Sequence, residues 1–307
     1  MWTDIERIDL GASATLLAET EDSLVVRVDS DSGEGRMTFY RVFPGVLLTY
    51  NDFHMKDYQS EFQAGTDLFC IDHCREGRIE HEIPGWTGYA SEDNLFSYLA
   101  AGDLRLDRRL RHNGHMVFPL CHYHGLSITF LMDEAARTIA HALLDFSVDL
   151  RALRDKYCSG ERPCVISREE GIAHIFSELY HVPAQIRRDY FRIKVLELLL
   201  FLDALTLPET PEARPYFYRS QVEKVKAIQA YLTADLTHPH TLEELSARFD
   251  IAMTPMKECF KAVYGSPIFT YMRLYRMNVA AAMLKSERDL KVSDIAGLVG
   301  YDLPPVK

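Results

Sequence analysis

This 307-residue chain has no long apolar run. Its most apolar stretch, Val195 to Leu207, is broken by Glu197 and Asp203 and falls short of the ~20 residues a bilayer-spanning helix needs. The opening residues, MWTDIERIDLG, lack an apolar segment of the kind that precedes secretory cleavage. A membrane role is therefore not expected, and the cytoplasm is the expected location. Positive charge is also scarce. There are 34 Lys+Arg against 45 Asp+Glu, a net charge of -11, which excludes a uniformly basic nucleic-acid coat. No Gly-x-Ser-x-Gly, no P-loop and no dinucleotide fingerprint occurs. The spacing Cys70-x2-His73-Cys74 has no second pair to complete four zinc ligands. The six cysteines, at 70, 74, 121, 158, 164 and 259, are expected to be reduced and buried.

What is present is ordinary globular composition, with 47% hydrophobic and 26% charged residues. The length suggests about two domains. Charge divides along the chain. Residues 216–307 carry 12 basic and 10 acidic side chains, whereas residues 1–215 carry 22 and 35. Pro208, Pro211 and Pro215 lie at the junction and read as an exposed linker.

Residues 14–130 read as strands and turns. Leu24–Val28, Phe43–Tyr50 and Leu126–Leu131 are β-rich runs, and many short strands with glycine punctuation suggest a sandwich or small barrel. From Asp133, helical spacing takes over through Ala135, Ile139, Leu143, Phe146 and Leu150. Ser167 with Glu170 resembles a capping box, and Pro183 opens a helix to about Leu207. The middle of that helix, Val195–Leu202, is apolar on nearly every face, so it is either deeply buried or one side of a subunit interface. Dimerisation through 134–156 and through 184–206 both remain open.

The region 220–307 reads as helical throughout. Val222, Val225, Ile228, Tyr231 and Leu232 form one apolar face. Thr241-Leu242-Glu243-Glu244 is a capping-box signature opening a helix to Phe249. A turn at Asp250-Ile251-Ala252 and a helix from Thr254 to Tyr264, ended by Gly265, complete a helix-turn-helix pattern. A long helix runs from Pro267 to about Lys285. Ser293 then caps a short helix closed by Gly300.

The string from Thr241 to Tyr301 resembles the AraC/XylS family of transcription regulators. Phe260 and Gly265, then Arg276, Ala280 and Leu284, then Val292-Ser-Asp-Ile-Ala and Gly300-Tyr301 carry the resemblance. The N-terminal part is similar to that family's cupin-like domain in Cys74–Glu80 and Phe118–Gly125. The resemblance implies an α+β chain: an N-terminal cupin-like β-sandwich or barrel with flanking helices, then an all-α helix-turn-helix domain. The expected divisions are a sensing domain at 1–132, a helical dimerisation region at 133–207, a linker at 208–219 and the DNA-binding domain at 220–307. Only Asp302 to Lys307 follow Tyr301, so the second helix-turn-helix unit reads as incomplete.

The implied partners are double-stranded DNA, a small-molecule effector and a second copy of the chain. By the family pattern, Thr254, Lys257 and Glu258 fall where bases are read, with lysine suited to guanine and glutamate to cytosine. Lys261 and the N-cap hydroxyl of Thr241 suit phosphate. Trp86, Tyr89, Phe96, His122 and His124 are candidates to line an effector pocket. His112, His115, Cys121, His122 and His124 make the densest ligand-type cluster, but no carboxylate follows His-x-His at a short interval. No metal, cofactor or catalytic residue is therefore assigned. Glu76 and Glu80 read as a solvated edge with Arg75 and Arg78. The competing readings are a cupin-type metalloenzyme using His122 and His124, and a truncated regulator without strong DNA binding.

Overall fold

The computed structural model describes residues 8–9, 13–64, 67–83, 95–109, 111–142, 146–159, 163–206, 217–286 and 290–301. Two compact units emerge, one formed by residues 1–81 and 98–214, the other by 82–97 and 215–307. Most of the 208–219 linker lies outside the described residues. No described helix is long and apolar enough to cross a membrane.

The first unit begins with strands β1 (Ile8–Asp9), β2 (Ala14–Glu19), β3 (Ser23–Ser30), β4 (Gly33–Phe43), β5 (Val46–His54), β6 (Asp57–Ala64) and β7 (Leu68–Ile83). It continues with β8 (Leu95–Ala100, whose first residues belong to the second unit), β9 (Leu104–Arg108), β10 (Arg111–Val117) and β11 (Tyr123–Leu131). The antiparallel sheet runs in the order β1-β6-β10-β7-β11-β5-β4-β3-β2. Helices α1 (Met132–Ala140) and α2 (Leu150–Tyr157), strand β12 (Cys164–Ile166), and helices α3 (Glu170–Leu179) and α4 (Arg187–Ala204) complete the unit.

Alternation assigns the two faces of the sheet. Val46 and Leu48 of β5, with Leu126, Ile128 and Phe130 of β11, face the helices and join Ile139, Leu153, Phe176 and Leu199 in one core. Leu47, Leu68 and Cys70 point the other way into a smaller core, and Phe53, Phe118 and Tyr123 into another. That opposite face also carries a buried ionic group. Arg109 donates to Asp72 at 2.6 Å and to Asp107 at 3.0 Å, and Arg105 donates to Asp107 at 2.8 Å. Burial pushes the Asp72 carboxyl up, but Arg109 and Arg105 outweigh it and hold the group below its ordinary value.

The α+β class is as expected, with an antiparallel sheet and flanking helices before the helical region. Several local expectations are corrected. The run Phe43–Tyr50 is two strands, because Pro44 and Gly45 (φ 77°) turn the chain between β4 and β5. The strand expected from Leu126 starts at Tyr123, and it is not the last, since β12 follows between the helices. The helix from Asp133 stops at Ala140, and Asp149 starts a separate one by accepting from the Arg151 and Ala152 amides. The expected position Leu143 lies outside the described residues. Glu169, not Ser167, caps α3, following Arg168 in left-handed backbone (φ 36°). Pro183 precedes a 3-10 turn, so α4 starts at Arg187. Cys121 is exposed rather than buried. Glu80 is buried, not solvated, and accepts from Tyr98 Oη at 2.7 Å.

Under α3, His73 stacks on Phe176 with ring centroids 4.1 Å apart. Burial drives its imidazole from 6.5 down to about 4, against a smaller opposing pull from Asp103. The unfolded imidazole thus takes up a proton where the folded one does not, and its neutral form stabilises the unit above about pH 6.5. That contribution is lost as pH falls toward 4. Relative to His73→Gln, wild-type stability should drop by about 2 kcal/mol between pH 7 and pH 5. Urea unfolding at the two pH values measures this, and an equal drop in both proteins refutes it.

Candidate nucleic-acid interface

The second unit carries β13 (Phe217–Tyr218) and helices α5 (Arg219–Ala234), α6 (Leu242–Arg248), α7 (Met253–Tyr264), α8 (Ile268–Ser286) and α9 (Val292–Leu298). Thr241 caps α6 as the sequence predicts. Its hydroxyl accepts from the Glu244 amide at 3.2 Å, and the Glu244 carboxylate accepts from the Thr241 amide at 2.9 Å. Asp250 adopts left-handed backbone (φ 48°) in the turn to α7. Lys224 of α5 holds that turn by donating to the Asp250 carbonyl and, at 3.2 Å, to its carboxylate. Pro255 fits inside the first turn of α7, where amides have no helical partner. Gly265 (φ 83°) ends the helix, its amide donating to the Lys261 carbonyl at 2.8 Å.

Helix α7 has two opposed faces. Met256, Cys259, Phe260 and Val263 are each 0% exposed. The helix packs against α5 and α8, and the Phe260 ring lies 4.7 Å from Tyr264 and 5.5 Å from Tyr271. Thr254, Lys257, Glu258 and Lys261 are all exposed. Their spacing of i, i+3, i+4 and i+7 aligns them as one ridge along the helix. This is the division between buried and outward residues expected from the sequence.

Beyond α8, the short helix α9 is closed at its start by Lys291 and Asp294 rather than by Ser293. The Lys291 amide donates to the Asp294 carboxylate at 3.2 Å. Ile295 and Val299 are buried. Gly300 has φ 77°, and a Cβ there would lie 2.1 Å from the Leu236 carbonyl oxygen, so only glycine fits. The Tyr301 amide donates to the Ala296 carbonyl at 2.8 Å. Residues 302–307, the basis for reading the second unit as incomplete, lie outside the described residues.

The pocket candidates divide between the two units and the residues outside the description. Trp86 and Tyr89 lie outside the described residues. Phe96 belongs to the second unit, buried, with the Arg219 guanidinium 5.5 Å from its ring centroid. His122 and His124 belong to the first, their ring centroids 6.3 Å apart. His122 places Nδ1 3.0 Å from the Leu120 carbonyl oxygen. His124 turns instead toward Asp52 and His54 of β5, residues that sequence spacing did not connect with it. The only available signal was the two-residue step from Asp52 to His54, which puts both on one strand face. The side chains of His112 and His115 lie outside the described residues.

No family model matches the chain. The regulatory protein PchR of Pseudomonas aeruginosa is 32% identical over 99 residues, 32% of this chain and 33% of that protein. The chain thus matches about a third of the length of this curated relative. The quoted C-terminal phrases are realised here as a complete helix-turn-helix, a linking helix and the opening helix of a second unit. This is the C-terminal arrangement that the resemblance to the AraC/XylS family implies. Among solved structures, the chain is similar to ToxT of Vibrio cholerae at 12% identity and a TM-score of 0.33, covering 83% of this chain and 89% of that one. An oxalate decarboxylase mutant of Bacillus subtilis aligns at 9% identity and a TM-score of 0.25, covering 53% of this chain and 42% of that one. Similarities this remote bear no weight for function.

Phe260→Ala should cost the helical unit about 3–5 kcal/mol, through lost burial and the cavity it leaves. Thr241→Ala should cost about 1 kcal/mol, through loss of the cap. Denaturant unfolding followed at the helical signal checks both, and equal costs for the two variants would contradict the assigned roles.

Proposed function

We propose that the chain is a sequence-specific DNA-binding transcription regulator, with an N-terminal unit that senses a ligand and holds a dimer. The observation that carries this reading is the exposed Thr254, Lys257, Glu258 and Lys261 ridge on a helix whose other face is fully packed. A recognition helix presents such a ridge to base edges in the major groove. Lys257 is assigned to guanine N7 and O6, Glu258 to cytosine N4, Thr254 to a base edge and Lys261 to phosphate. Thr241 is the weakest of the five, because its hydroxyl already accepts from the Glu244 amide and the turn it caps carries the carboxylates of Glu243 and Glu244. The regulatory role of PchR supports the same reading. Such a protein works where the DNA is, in the cytoplasm, and needs no catalytic residue.

The domain divisions at 132, 207 and 219 remain part of this proposal. The effector is a small molecule of unspecified class. The described cavity beside His73, lined by Phe176, Leu104 and Glu169, holds about 10 Å³, room for about one water. An effector there would require that part of the unit to open. The metalloenzyme reading draws no support from His-x-His, since His122 and His124 do not converge on a shared ligand position with each other.

Lys257→Ala should weaken binding to a genomically selected operator by about 1–3 kcal/mol while leaving binding to unrelated DNA nearly unchanged. Lys261→Ala should weaken both and flatten the plot of log affinity against log salt by about one unit. Fluorescence anisotropy over a salt series measures both effects. Absence of any preferred sequence at low salt would overturn the reading.

A homodimer is the partner arrangement we favour, through α4. Its inner residues Val195, Leu198, Leu199 and Leu202 are 0% exposed, yet Ile193, Leu200 and Phe201 are 62%, 44% and 41% exposed. Ile193 and Leu200 lie seven residues apart within α4, the spacing of a helix-pairing seam, and the exposed Ile186 precedes them in the 3-10 turn. Leu200→Glu should convert the dimer to monomer in sedimentation at micromolar concentration. A wild-type protein that already sediments as a monomer would refute it.

A further inference from the structure

The outer end of the helix-bearing sheet face carries three side chains of metal-ligand type. Asp52 and His54 lie two residues apart on β5 and therefore project from the same face. On the neighbouring strand, His124 sits directly opposite Asp52. Both imidazoles turn to the same carboxylate oxygen. Nε2 of His54 is 2.9 Å and Nε2 of His124 is 3.4 Å from Asp52 Oδ1. One donor atom from each residue fits within a 4.8 Å span. Metal–ligand bonds of about 2.0–2.1 Å at a tetrahedral angle require donors roughly 3.3 Å apart, so little movement separates this arrangement from a coordination shell.

The strands already hold these groups in place. Hydrogen-bonded registers fix β5 against both β4 and β11, and an irregularity between His124 and Gly125 sets the local direction of β11 against β7. Preorganised ligands of this kind need only displace water and, at low pH, a proton. The surrounding charge favours a cation. Glu34 lies opposite His54, while Glu76, opposite His124, is paired with Arg75 at 3.4 Å and Arg36 lies opposite Asp52, so the Asp52 carboxylate supplies the net negative charge. The side chains of His54, Asp52 and His124 are 63%, 52% and 32% exposed, so an ion reaches them from solvent and water completes its shell.

We propose that Asp52, His54 and His124 bind one divalent transition-metal ion of the zinc class. Two imidazoles and one carboxylate select such ions over calcium or magnesium, which take oxygen ligands. Without metal, the two imidazoles stand within ion-pair distance of the one carboxylate. Binding an ion would tie β5 to β11 at their outer end.

The test uses the full chain after chelator treatment. Zinc is titrated against a chromophoric chelator, and cobalt is followed by its visible absorption. One equivalent should bind, with affinity reduced at least tenfold by His54→Ala, by His124→Ala and by Asp52→Asn. His124→Cys, which retains a zinc ligand, should recover most of the affinity, and cobalt in that variant should gain a thiolate charge-transfer band. His181→Ala, an exposed histidine elsewhere in the same unit, should change nothing. Because the altered side chains are partly exposed, circular dichroism should report an unchanged fold. Failure to bind zinc, or equal affinity in wild type, His54→Ala and His124→Ala, overturns the proposal.

Discussion

The burial of one side of α7 is the constraint on which the helical unit depends. Met256, Cys259, Phe260 and Val263 have no contact with solvent. Because a helix places every third and fourth residue on one side, burying these four leaves Thr254, Lys257, Glu258 and Lys261 outward. The ridge is thus a consequence of the core. Polar bonds refine the arrangement: Lys224 fixes the turn before α7, and Gln229 of α5 donates to Tyr271 of α8 at 3.0 Å. Helix α5 therefore serves as the common support, its Val222, Val225 and Ile228 buried beneath the others.

The sheet unit follows a different rule. Two-residue alternation gives each strand an apolar side for the helices and a second side that mixes apolar and ionic groups. The helix-facing side is the larger core, in line with its aliphatic and aromatic content. The opposite side buries Asp72 and Asp107 only because Arg105 and Arg109 meet them. An unpaired carboxylate there would be too poorly solvated to remain charged. The helix layer covers the strands as far as Tyr50, whose hydroxyl donates to the Leu179 carbonyl at the end of α3. Past that point the same face emerges into solvent, and Asp52, His54 and His124 stand where β5 and β11 leave the cover.

Much of the helical unit was legible because its signals are local. The Thr241 and Glu244 pair, the turn before Met253 and the Gly265 stop each depend on residues within a few positions, and each is realised. Elsewhere local signals competed. Ser167 offered a hydroxyl for the cap of α3, but the left-handed backbone at Arg168 advanced the helix start and gave the role to Glu169. Phe43 to Tyr50 looked continuous because its apolar content hid the turn at Pro44 and Gly45. Glu80 looked solvated because nothing near it in sequence revealed Tyr98 as its partner.

The sequence by itself determined the α+β order of the chain, the two faces of α7 and the cap that begins α6. These rest on helical and strand periods and on short-range hydrogen bonds. Only the tertiary structure decided which carboxylates pair with Arg105 and Arg109, which side of α4 is covered and which residues surround His124. Those outcomes depend on strand register and on where the helix layer ends, and both are set by contacts between residues far apart in the chain.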